Sequence, residues 1–251
     1  MKERKEILKN ISLKEILNWI SKEENQSKKK AFQLLLAEKL LLNHSNWNEV
    51  LKCVRNEDVK FDGFMPYSTQ THNLYETKTE LLTRAYAEYD TEHKQLVVNA
   101  YLHTIKDGVH LFGFLDRPKK KMVDQKSSLS GSTGMIGGHV SYNDHSFYAC
   151  LVREISEEFK KFRLDGIVNI EPRGYINDSS TDISTYHLCV LYEIFSVYSV
   201  YMKNIIPVVE EGKVVWFTKD QIQKELDKGV LDSRFDSWAY IAMSNRIKEL
   251  R

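Results

Sequence analysis

Residues 137–159 read GGHVSYNDHSFYACLVREISEEF, a glycine pair followed by a run whose second half is helical and acidic. A helix advances about 100° per residue, so with Glu154 at 0° the side chain of Glu158 falls near 40° and that of Glu157 near 300°. Three carboxylates share one arc. Tyr148, Leu151, Val152, Ile155, Phe159 and Phe162 fill the adjoining arc, which gives an amphipathic helix expected from about Ser146 to Phe162. Like charges three and four residues apart oppose a helix by roughly 0.2–0.5 kcal/mol per pair, so their clustering calls for a cation. Mg²⁺ suits hard oxygen ligands and bridges carboxylates to phosphate, and Mn²⁺ can replace it. The plain alternative is a solvated acidic face neutralised by Lys161, which stands four residues from Glu157 and three from Glu158. The glycine pair Gly137-Gly138 favours the metal, because missing side chains let an ion or a phosphate approach the backbone closely.

Working outward, residues 95–104 and 108–115 are β-rich runs joined by Lys106, Asp107 and Gly108, a hairpin signature. Strands are also expected over 167–172, 186–197 and 213–217, with a turn through Asn177–Ser180 and helices over 219–228 and 235–250. Strands interspersed irregularly with helices give an α/β class with a mixed sheet, not a doubly wound parallel one. Residues 117–134, with Lys119, Lys120 and Lys121, read as a polar surface loop.

From residue 2 to about 54 the apolar spacing is helical, as in Ile7, Ile11, Ile16, Leu17 and Ile20. Ser12 and Glu15 have the spacing of a capping box, and Ser45 or Asn46 would cap a third helix carrying Trp47, Val50, Leu51 and Val54. The organisation is therefore a helical segment over 1–60 and a catalytic domain over 80–250, with the junction between Asn56 and Tyr75. Lys28, Lys29 and Lys30 read as a solvated face, so nucleic acid finds no firm support.

The chain has 251 residues, enough for one full domain with an appendage, and a formal net charge of +1, which drives it toward neither nucleic acid nor membrane. Its three cysteines, Cys53, Cys150 and Cys189, lack metal-ligand spacing and read as buried thiols in a reducing compartment. No signal-peptide run or membrane span is evident, so a cytoplasmic location is expected.

The run from Gly138-His139 through Arg153-Glu154-Ile155-Ser156-Glu157-Glu158 resembles the Nudix box, and residues 85–250 resemble a bacterial group of MutT-like predicted phosphoesterases. Asp90 to Leu102, Gly174 to Asp178, His187 to Tyr192, Trp216 and Phe235-Asp236-Ser237-Trp238 carry the likeness outside the box. It implies an α/β/α sandwich and a Mg²⁺-dependent hydrolase cleaving a diphosphate linkage in a nucleoside diphosphate derivative. Glu154, Glu157 and Glu158 would hold metal, Arg153 would orient a carboxylate, and Gly137, Gly138 and His139 would meet the substrate. Three departures stand out: Lys160 and Lys161 occupy the place of a glycine, His145 the upstream acidic position counted from Arg153, and Gly138 lies one residue too far upstream. A one-residue insertion would account for the last two and make Asp144 the acidic residue, while the lost glycine would let the helix run on to Phe162 or beyond.

The general base has several candidates: one of the box glutamates, Asp182, Glu193, Glu210 or Glu211. His187 reads better as a sheet residue than as a catalyst, Cys150 as packing, and aromatic residues around Tyr175 could stack a base. A catalytically weak Nudix fold used for ligand sensing or protein binding is the alternative from another class. An isomerase of isoprenyl diphosphates would need a further cysteine and glutamate pair. The expected partner is a small nucleotide-type molecule, with homodimerisation left open.

Overall fold

The computed structural model describes residues 12–43, 48–88, 90–117, 132–159, 167–180, 184–200 and 212–250. The expected cap at Ser45 or Asn46, the Lys119–Lys121 run, Lys160, Lys161 and Phe162, and the base candidates Asp182, Glu210 and Glu211 lie outside them.

Strand β4 (His93–Lys106) organises the molecule, because its alternation feeds two cores. Leu96, Val98, Ala100 and Leu102 enter one, while Val97 and Tyr101 enter the other. One edge of β4 runs parallel to β9 (His187–Ser196), from Gln95↔His187 to His103↔Phe195. The opposite edge takes three antiparallel partners in turn: β1 (Val50–Arg55), β7 (Ile136–His139) and β5 (Val109–Asp116). With β2 (Gly63–Pro66), β8 (Ile167–Asn177) and β10 (Lys213–Thr218) the order is β10-β5-β4-β9-β8-β2. A sheet with one parallel pair among antiparallel ones is mixed, as expected. The short strands β3 (Glu80–Thr83) and β6 (Thr133–Gly134) pair with β1 and β5.

The β4–β5 hairpin forms where the sequence placed it. Asp107 (φ 51°) and Gly108 (φ 78°) take the left-handed conformation that a two-residue hairpin turn requires.

Helix α5 (Phe147–Glu158) packs on one face of the sheet, sending Phe147, Cys150, Leu151 and Ile155 into the core with Leu96 and Val98. Helices α6 (Lys219–Leu226) and α7 (Ser237–Glu249) cover the other, where Ile222, Ala239, Ala242, Met243 and Ile247 meet Val97, Tyr101 and Leu191. The result is an α/β/α sandwich. Helix α3 (Thr69–Thr77) and the single turn α4 (Arg84–Ala87) lie in the stretch preceding β4.

Ahead of the sandwich, α1 (Leu13–Lys22) and α2 (Gln26–Asn43) stack through Trp19 and Phe32, whose ring centroids are 5.6 Å apart. The capping box is present: the Ser12 side chain accepts from Glu15 N and the Glu15 carboxylate accepts from Ser12 N. The third helix is not. Residues 50–55 form β1, with Leu51 and Cys53 buried and the strand held between β3 and β4. Val50, Leu51 and Val54 fit a helical spacing, but Leu51 and Cys53 also fit a period of two, and pairing on two edges decides for the strand. The sheet thus draws on the chain from Val50 onward. Among the described residues no helix is long and apolar enough to cross a membrane.

Candidate active site

Ser146 caps α5, its hydroxyl accepting from Ala149 N at 3.1 Å, and Glu76 of α3 accepts from Phe147 N at 3.0 Å. On the wheel the buried residues sit near 20° (Phe147), 320° (Cys150), 60° (Leu151) and 100° (Ile155). The apolar stripe is therefore centred on the arc of Glu154 and Glu158, not beside it. The expected stripe needs correcting, because Tyr148 is 49% exposed and Val152 only half-buried. The helix aims Glu154 and Glu158, at the centre of that stripe, toward the sheet.

Glycine makes that tolerable. A Cβ on Gly138 of β7 would lie 2.4 Å from Glu154 Oε2, so the carboxylate occupies the space of the missing side chain. Gly137, with φ 146°, donates its N–H to Glu158 Oε2 at 3.2 Å. Glu157 points outward, its side chain 58% exposed, with Arg153 Nη1 at 3.4 Å. Burial raises the pKa of Glu154; Arg153 opposes that, and the charges of Glu157 and Asp144 add to it.

Arg153 holds the group together. Its Nε and Nη2 grip Asp144 at 3.0 and 2.8 Å, Nη2 also donates to the His139 carbonyl at 2.9 Å, and Nη1 reaches Glu154 Oε1 at 2.6 Å. Asp144 is buried and accepts as well from Ser141 N at 2.8 Å. Burial alone would raise its pKa, but the guanidinium and the Ser141 N–H outweigh it and hold the carboxyl below its ordinary value. The acidic partner of Arg153 is thus Asp144, and His145 faces solvent. The helix does not run on: Phe159 turns extended (φ −122°, ψ 122°) and buries its ring.

The three box carboxylates do not converge on a point, since Glu154 and Glu158 face β7 and Glu157 points to solvent. Among the described residues, three ligand-bearing groups lie within 4.8 Å of one another only at Asp90, Glu92 and His93, ahead of and at the start of β4. There Asp90 accepts from Glu92 N at 2.9 Å and contacts His93 Nδ1 at 2.6 Å, while Glu92 pairs with Lys30 of α2. Sequence reasoning passed over this cluster, since two acids and a histidine within four residues are commonplace.

The remaining candidates are dispersed. His139 follows Gly138 and faces the opposite side of the sheet, its Nε2 at 3.2 Å from His187 Nε2. Burial, then His187, holds its pKa well below the usual imidazole value. Glu193, a base candidate, lies on the α7 side, ringed by Tyr101, His103, Arg173 and Arg246. Tyr175 is fully buried, edge-on to Tyr75 at 5.3 Å, and is not placed to stack on a ligand. Cys150 packs, as expected, with Sγ 3.4 Å from the His139 carbonyl.

No family model and no curated protein matches the chain. Solved structures do. Tm1382, a protein assigned to the Nudix hydrolases, superposes with a TM-score of 0.59 at 20% identity, covering 80% of this chain and 99% of its own. A MutT/Nudix family protein from Listeria innocua follows at 0.46 and 17%, covering 62% and 95%. The Nudix domain of Shewanella oneidensis NrtR, solved with ADP ribose, gives 0.44 and 18%, covering 63% and 89%. At such identities the likeness speaks for the fold. The chain has the fold of the Nudix hydrolases.

Proposed function

We propose that this protein hydrolyses a diphosphate linkage in a nucleoside diphosphate derivative, assisted by a divalent cation, Mg²⁺ or Mn²⁺. The observation that carries the reading is Arg153 tying Asp144, Glu154 and the β7 backbone into one unit beneath the carboxylate face. A surface charge cluster has no reason to be so held.

The residues suit a hard cation. Glu154 is pressed into the space left by Gly138, and its carboxylate, though paired with Arg153, carries a burial penalty that a cation would relieve. Glu154, Glu157 and Glu158 would hold the ion, which when bound would neutralise charge developing on the phosphate oxygens. Arg153 fixes the rotamer of Glu154 and, through Asp144 and the His139 carbonyl, the position of β7 relative to α5. The Gly137 N–H orients Glu158. Glu157, the most exposed of the three, is free to turn toward an incoming water, and a carboxylate of the set takes the proton of the attacking water.

The sensing or binding alternative drew on the departures from the box. One of them loses force here, because Asp144 pairs with Arg153 in place of His145.

Nucleotides, dinucleotides, sugar nucleotides and capped RNA incubated with Mg²⁺ or Mn²⁺ test the reading, with Glu157→Gln and Glu158→Gln beside the wild type. Turnover should require metal and fall at least ~10²-fold in either variant. Metal-independent turnover, or variants as fast as the wild type, would remove the proposal.

A further inference from the structure

Gln95 is the most anomalous polar residue in the described fold: it is 1% exposed, and neither its Nε2 nor its Oε1 has a protein partner. A buried carboxamide left so costs free energy, and native folds rarely keep one without a use. Its neighbours share the character. Across the parallel pairing Gln95 stands opposite His187, whose ring lies edge-on to Trp238 of α7 at a centroid distance of 5.9 Å. The indole Nε1 of Trp238 is likewise buried without a partner. His139 closes the group, 3.2 Å from His187. Four side chains from β4, β9, β7 and α7 thus surround unsatisfied hydrogen-bonding capacity on the α7 face of the sheet.

Two features connect this group to the candidate active site. His139 and Gly138 are consecutive residues of β7 facing opposite sides, Gly138 under Glu154 and His139 against His187. Among the described residues β7 pairs with β4 alone, and its other edge is held by the box helix: the Gly137 N–H donates to Glu158 and the His139 carbonyl accepts from Arg153, so the residue that touches His187 is anchored by the same groups that hold the carboxylate face. His139 and Trp238 are half-buried, while Gln95 and His187 lie deeper and are buried.

The geometry points to a recognition pocket, lined by Gln95, His139, His187 and Trp238, for an uncharged flat heterocycle of the nucleobase class, the part of the substrate that is not hydrolysed. A carboxamide offers one donor face and one acceptor, which complements the donor–acceptor edge of a base. An indole N–H adds a directed donor, and the rings of His187 and Trp238 supply flat apolar surface. Phosphate would ask instead for cationic donors. This assignment rests on the hydrolase reading for its substrate, but the binding it describes can be measured without turnover.

Calorimetric titration of metal-free Glu157→Gln chain with AMP, GMP, CMP and UMP, and with ribose 5-phosphate as the base-free control, separates the two. At least one nucleotide should bind about tenfold or more tightly than ribose 5-phosphate. Adding Trp238→Phe, which keeps a ring and removes the N–H, or Gln95→Leu should erase about fivefold or more of that preference and leave ribose 5-phosphate unaffected, with the melting temperature of each variant confirming the fold. Equal binding of all five compounds overturns the pocket, as do variants that bind like their parent. The latter result would mean that water alone satisfies Gln95. Base-selective binding in a chain that hydrolyses no diphosphate would uphold the pocket and overturn the hydrolase reading; hydrolysis indifferent to the base would do the reverse.

Discussion

Glu154 is held in conflict: it is the best-positioned carboxylate of the site and a half-buried charge. Its side chain is 14% exposed, and burial raises its pKa despite the 2.6 Å contact with Arg153. A carboxyl whose folded pKa is raised lowers stability above that pKa, and the penalty disappears as pH falls below the unfolded value near 4.5. Metal-free Glu154→Gln should therefore be more stable than the wild type at pH 7.5, with the advantage shrinking toward pH 4.5, while its turnover falls. Urea unfolding at the two pH values reads this directly. A less stable variant at pH 7.5 would show that the Arg153 contact outweighs desolvation. Such a trade of stability for a reactive group is common at catalytic sites.

Strand β7 shows how little an element needs to contain. Of its four residues two are glycines, and they are required for different reasons. A Cβ on Gly137 would stand 1.9 Å from the Val98 carbonyl, and its φ of 146° disfavours any side chain, so Gly137→Ala should break the β4–β7 pairing and cost several kcal/mol. On Gly138 the nearest atoms a Cβ would meet are the end of the Glu154 side chain, which can swing away. Gly138→Ala should keep the melting temperature within a few degrees yet reduce divalent-cation affinity and turnover by about tenfold or more. Thermal denaturation and cation titration distinguish the two variants, and similar behaviour in both would refute the account. The glycine pair and the acidic helix were legible in the sequence because their requirements are local. The direction of the stripe was not. Whether Tyr148 or Cys150 faces the sheet depends on how α5 is rotated against β7, a choice made by tertiary packing. Likewise the spacing around Val50, Leu51 and Val54 could not reveal β1, because the pairing that makes it a strand comes from residues 80–83 and 93–95. Gln95 was legible only as the start of a β-rich, family-like strand, its further significance visible only once the partners it lacks could be counted.

Across the whole molecule, Glu193 binds four elements into one body. From β9 it accepts the Tyr101 hydroxyl at 2.6 Å, contacts His103 Nδ1 at 2.5 Å, both on β4, and accepts from Arg246 of α7 at 3.1 Å, with Arg173 of β8 at 3.8 Å. The last arginine also pairs with Glu249, near the end of α7. Though burial works against the charge, these donors prevail and hold the Glu193 pKa at about 2, against 4.5 ordinarily. A carboxylate with a depressed pKa adds stability that is complete above its unfolded pKa and is lost as pH falls through the folded one, a window from about 4.5 to about 2. Glu193→Gln leaves two arginines facing a neutral group, so it should cost about 3 kcal/mol at pH 7. That difference from the wild type should narrow as pH falls below 4.5. Guanidinium unfolding of both proteins at pH 7, 4 and 3 reads the convergence. Because Glu193 lies on the α7 side, away from α5, turnover at neutral pH and moderate temperature should change far less than stability. A loss of kcat matching that of Glu157→Gln in folded Glu193→Gln would instead restore Glu193 as the general base.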